Sequence, residues 1–123
     1  MAVSVISRGQ MLPKSYILEF YCEGSYLNGE SINKVALENI RGSAKVPARN
    51  FAKVAKNILL QYMTPAEMLN PTLMEQAGVR ALQSAILIGQ YAPNAPSTIK
   101  RKGNGNVLRD TYTMINSFTG KKL

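Results

Sequence analysis

The sequence predicts an α+β fold: a small antiparallel sheet packed against two or three helices, with an extended basic arm near the C-terminus. Three observations predict it. Residues 15–22 have the aromatic and branched content of a strand. Segments between 31 and 90 repeat apolar residues at spacings of three and four, the period of a helix with one buried face. Residues 91–109 combine fixed-φ prolines, a dense cationic cluster and a glycine turn. The 123 residues make one domain, long enough for one hydrophobic core and too short for two. It divides into an N-terminal strand region (1–30), a helical region (31–91), and a basic arm with a C-terminal element (92–123).

In chain order, Ser15 to Cys22 reads as a strand with Glu19 and Glu23 on one alternate face. Gly24 and Asn28-Gly29 are turn signals on its far side. Ser31 caps a short helix with an apolar stripe of Ile32, Val35, Ala36 and Ile40, and Gly42 ends it. Lys45 to Arg49 is an extended connector. Asn50 then caps the cleanest helix: Phe51, Val54, Ala55, Ile58, Leu59 and Tyr62 face inward, and Lys53, Lys56, Asn57 and Gln61 face away. Thr64, Pro65 and Glu67 form a capping-box pattern with proline at the first helical position.

From about Pro71 to Gln90 a longer helix turns Met74, Ala77, Ala81, Leu82, Ala85 and Ile88 inward, with Gln76, Arg80 and Gln83 opposite. Its small residues Ala77, Gly78, Ala81 and Ala85 permit close approach, read here as internal packing rather than a subunit interface. Thr111 to Phe118 fits a short helix or a strand equally well, and Lys121 and Lys122 read as a mobile terminus.

Charge is concentrated in two blocks. Residues 34–59 carry Lys34, Arg41, Lys45, Arg49, Lys53 and Lys56 against Glu38; residues 93–123 carry Lys100, Arg101, Lys102, Arg109, Lys121 and Lys122 against Asp110. Each block nets +5 within a chain of net charge +8. Such blocks suit an anionic partner, nucleic acid or an acidic protein surface, or else a solubilising surface.

Catalytic chemistry is poorly supplied. There is no histidine, the commonest general base and metal ligand, and the seven acidic residues are scattered without pairing on a helical face. Cys22 is the single cysteine; with no histidine to activate it, it reads as a plain, partly buried thiol in a reducing compartment. Gly103 to Gly105 lacks the strand and the Lys-Ser/Thr of a phosphate loop. No enzyme activity, metal or cofactor is expected. The residues from Met1 to Arg8 lack the pattern of a secretory signal, and no apolar run reaches the ~18–20 residues of a membrane span. No helix-turn-helix spacing, zinc-finger ligand set or aromatic RNA-binding signature accompanies the basic blocks, so a nucleic-acid-binding protein remains the alternative, limited to phosphate contact.

Two motifs carry a resemblance. Val46-Pro47-Ala48-Arg49-Asn50-Phe51, and some forty residues later the run from Pro93 through Pro96-Ser97-Thr98-Ile99 to Lys102-Gly103 followed by Leu108, Asp110 and Thr111, resemble the tail-completion or neck proteins of tailed bacteriophages, also described as virion-morphogenesis or minor tail proteins. In that family a Pro-Ala-Arg-x-Phe segment opens a long helical region. A Pro-x-x-Pro-Ser/Thr-Thr-Ile-x-x-Lys-Gly segment closes it, and a Leu-x-Asp-Thr-Gly element leads to a final strand. Order and spacing agree over roughly residues 35–118. The chain departs in having Tyr112 where the family has the glycine after Asp-Thr, which bears on that turn, and Val107 where a proline often precedes the leucine. The family's N-terminal strands and its last strand after Ser117 look shortened.

The resemblance implies a structural virion protein at the neck or tail top, present in the host cytoplasm during assembly. Its homo-oligomeric ring, a hexamer in preference to a dodecamer, would join the head connector to the tail tube and leave a channel in transient contact with genomic DNA. It also implies the residues that meet a neighbouring subunit or partner: Arg49, Phe51, Thr98, Lys100, Arg101, Lys102, Arg109 and Asp110. In that scheme the basic arm docks on the acidic surface of Glu19, Glu23 and Glu30. Arg49 and Phe51 anchor the connector to the helices, and Asp110 and Thr111 fix the turn that returns the arm to the core.

Overall fold

The computed structural model describes residues 1–7, 14–43, 47–88 and 112–123. They form an α+β domain in which a three-stranded antiparallel sheet carries helices on one face. Strand β1 (Ala2–Ser7) pairs with the long central strand β2 (Lys14–Cys22), from Ala2 opposite Glu19 to Ser7 opposite Lys14. On the other edge of β2 lies β3 (Phe118–Lys122), with Cys22 opposite Phe118 and Leu18 opposite Lys122. Side chains alternate across a strand, so Leu18, Phe20 and Cys22 enter the core while Ile17, Glu19 and Tyr21 face outward.

The expected helix starts are present with their caps. In α1 (Ile32–Arg41) the Ser31 hydroxyl accepts from Lys34 N, and Gly42 closes the helix at φ 75°, its N–H returning to Glu38 O. In α2 (Phe51–Tyr62) the Asn50 side chain accepts from Lys53 N. A full capping box between Thr64 and Glu67, with Pro65 at the first position, starts α3 (Pro65–Leu69). The long helix α4 (Pro71–Ile88) lies against α2 and the sheet. No described helix is long and apolar enough to cross a membrane.

The small residues of α4 serve internal packing. Ala77, Gly78, Ala81 and Ala85 are buried, and a Cβ added at Gly78 would lie 2.1 Å from Cζ of Phe20. The Phe20 ring therefore needs the space a missing side chain leaves. Gly120, its partner across to β3, gives it room on the other side, where an added Cβ would come within 2.8 Å of the ring. Leu18 and Phe51 are the largest wholly buried side chains, and Phe51 meets Phe118 edge-on with ring centroids 5.8 Å apart.

Four expectations change. Residues 113–122 are helix and strand in succession: α5 (Thr113–Ser117) buries Met114 and Ile115, and β3 follows directly. Lys121 and Lys122 accordingly belong to a paired strand rather than a mobile terminus; Lys121 lies 3.9 Å from Glu19 and 5.5 Å from the Tyr21 ring centroid. Tyr62 and Ile88 are 71% and 69% exposed, because each ends its helix beyond the layer its neighbours pack against; Ile86, one turn after Leu82, is buried instead. Gln83 is half-buried rather than solvent-facing, since its side-chain amide donates to the Ile115 carbonyl at 3.0 Å. The arm from Pro93 to Arg109, and Gln90 at the expected end of α4, lie outside the described residues.

Candidate functional site

Of the residues that the sequence singles out as partner contacts, Thr98, Lys100, Arg101, Lys102, Arg109 and Asp110 lie outside the described residues. Arg49 and Phe51 lie inside them and are brought together at the corner between α1 and α2. Both are internal: Phe51 is 0% exposed and Arg49 8%. Neither presents appreciable side-chain surface to a partner in the folded chain. Asn39 bridges the corner, its side-chain amide donating to Val35 O at 2.9 Å and its Oδ1 accepting from Arg49 Nη1 at 2.8 Å. The Arg49 N–H donates to the Asn39 carbonyl, and Phe51 N–H to the Arg49 carbonyl. Burial lowers the Arg49 pKa from its ordinary value, since desolvation disfavours a guanidinium's charge; the bond to Asn39 works against that cost.

Tyr112, at the entry to α5, is the only described residue other than glycine with positive φ, at φ 58° and ψ 11°. Its side chain is 55% exposed and makes no capping bond to the helix.

Two surface hollows flank α2. The first lies between α2, α4 and the sheet. Its floor is Phe20, Ala55, Leu59, Gly78 and Leu82, its rim Asn50, Lys53 and Lys56, and its volume about 320 Å³. Neither lysine pairs with a carboxylate among the described residues. The second, about 480 Å³, follows the same two helices toward their C-terminal ends and is lined by Tyr62, Met63, Ile88 and, with opposite charges, Glu67 and Arg80.

On the acidic side, Glu19 is already engaged by Lys121, which leaves Glu23 and Glu30 of that surface without an ion-pair partner among the described residues. These bracket the turn between β2 and α1. That turn is tightly bonded: Tyr26 N–H to Glu30 O at 2.8 Å, Gly29 N–H to Tyr26 O at 2.9 Å, and Glu30 N–H to Asn28 Oδ1 at 3.0 Å. At its tip Leu27 is fully exposed. The turn glycines are legible in the sequence; the solvent-facing leucine is marked there only by its place between two acids, Glu23 and Glu30.

Among the described residues no cluster of histidine, cysteine or acidic side chains could hold a metal ion. The Cys22 thiol is buried and its pKa is raised by desolvation, against the smaller opposing effect of a hydrogen bond with Ser117. Compared with family models, curated proteins and solved structures, the chain has no match.

Proposed function

We propose that this chain is a structural protein of the head–tail junction of a tailed bacteriophage, a neck or tail-completion protein. Its copies form a ring, a hexamer in preference to a dodecamer, that joins the head connector to the tail and surrounds the DNA channel. The observation that carries this reading is Tyr112. The motif it resembles has a glycine after Asp-Thr, the residue suited to a left-handed turn, and at that position this chain's Tyr112 adopts left-handed backbone. The order of elements supports the same reading. A helix opens at Phe51 of the Pro-Ala-Arg-x-Phe motif, with Arg49 and Phe51 holding its connector down, and α5 and then the final strand β3 follow Tyr112.

In this reading the arm bearing Lys100, Arg101 and Lys102 meets the acidic surface of a neighbouring copy at Glu23 and Glu30, and charge sets the docking register. Electron micrographs of particles with this chain labelled should show the label at the neck or tail top. Reversing the charges of Lys100, Arg101 and Lys102 should block ring or neck assembly while the monomer stays folded. A label elsewhere on the particle, or normal assembly of the charge-reversed chain, would refute the assignment. A monomer whose DNA binding collapses with added salt would favour the nucleic-acid-binding alternative.

A further inference from the structure

We infer that the turn carrying Leu27 is a knob that enters the lysine-rimmed hollow of a second copy of this chain. The inference rests on the ring-forming reading for its head-to-tail geometry, and it names the contact. A ring built from one chain needs two different, mutually complementary patches on each copy. The structure supplies such a pair. One is a projecting apolar side chain, Leu27, between the carboxylates of Glu23 and Glu30 on a turn already fixed by three internal hydrogen bonds. The other is an apolar hollow of about 320 Å³ with Lys53 and Lys56 on its rim. Leucine matches the floor of Phe20, Ala55 and Leu59, and the two acids match the two lysines in sign. The patches share no residue, as a head-to-tail contact requires.

Preorganisation favours the contact, because the turn loses little freedom on docking. The second hollow, with Glu67 and Arg80 on its lining, has no such preference in sign. The lysine-rimmed hollow thus joins the arm as a cationic surface facing Glu23 and Glu30, and it adds the apolar seat that three consecutive cations do not provide.

The test uses the full chain and its state of association, read by analytical ultracentrifugation, with thermal unfolding as a check on folding. The parent should self-associate. Leu27→Asp should weaken association by about 10- to 100-fold, the worth of burying one leucine side chain. Lys53→Glu with Lys56→Glu should do the same from the opposite patch. The deciding arm is the mixture: the Leu27→Asp chain keeps its hollow and the double-glutamate chain keeps its knob, so together they should form a 1:1 dimer and nothing larger. A parent that stays monomeric throughout, or a Leu27→Asp chain that assembles like the parent, overturns the inference. In the second case the ring reading survives with a different contact; loss of the neck label from the particle would instead remove that reading while leaving self-association through Leu27 intact.

Discussion

Two corners of this molecule turn the chain through positive φ, and they use opposite residues to do it. After α1, Gly42 stands at φ 75°; before α5, Tyr112 stands at φ 58°. Glycine enters positive φ without a steric penalty; a residue with a Cβ loses about 1–2 kcal/mol in the left-handed helical region of Tyr112, and the extended positive-φ region of Gly42, at ψ 168°, is essentially glycine's alone. At the first corner local preference and tertiary structure agree. At the second the tertiary structure overrides the residue: Met114 and Ile115 of α5 and Phe118 of β3 are all buried, and their packing holds Tyr112 in place. A turn can thus be dictated from beyond itself when the elements it feeds have enough apolar surface to bury.

The corners meet at one aromatic contact, and breaking it should have the largest effect. Phe51 begins α2, the next helix after the first corner, Phe118 begins β3, which follows α5 after the second, and their rings touch in the core. Phe51→Ala should destabilise the domain by about 3–5 kcal/mol, through lost burial and the cavity left behind. Denaturant unfolding measures this; a loss under about 1 kcal/mol would mean that the core closes over the gap and the two corners are independent.

The next largest effect falls on the relaxed corner. An alanine at Gly42 would keep the positive-φ backbone and place its Cβ 2.8 Å from the backbone N of Ala48, an atom that cannot swing aside. Backbone strain and overpacking together predict a loss of about 2–3 kcal/mol for Gly42→Ala, read by the same unfolding measurement. The connector that carries Arg49 to Asn39 would be displaced with it. A loss below about 0.5 kcal/mol would show the corner to be adjustable and would remove its contrast with Tyr112.

The contrast between the corners also explains what the sequence made legible. Ser31, Asn50, Thr64 and Pro65 mark helix starts by local hydrogen-bonding chemistry, and Gly42 marks an end by its missing side chain; all of these could be read in place. The stripe of small residues on α4 was readable as packing, but its specific purpose, room for the Phe20 ring, depends on a strand more than fifty residues away. The C-terminal element was ambiguous because Thr113 to Ser117 is too short to reveal a period, and β3 exists only because β2 offers it an edge. The buried pairing of Arg49 with Asn39 was equally hidden. An arginine in a basic block reads as surface charge until the fold brings an amide against it. The docking pair suffered the same fate: Lys53 and Lys56 were legible as an outward face of α2, while the apolar floor behind them is assembled from β2 and α4.

The smallest expected effect is the sharpest test of the comparison, because its sign is opposite. Tyr112→Gly removes the left-handed penalty of about 1–2 kcal/mol but adds unfolded-state freedom worth about 0.4–1 kcal/mol, so the variant should be more stable by about 0.5 kcal/mol. Tyr112→Ala separates the two causes. Alanine keeps the Cβ and therefore the strain, and the ring it removes is more than half exposed, so this variant should gain nothing. A glycine variant that unfolds later than the parent, beside an alanine variant that does not, would assign the cost to backbone handedness. Equal losses in both would mean that the contacts of the tyrosine ring, rather than the packing of α5 and β3, hold the second corner in its turn.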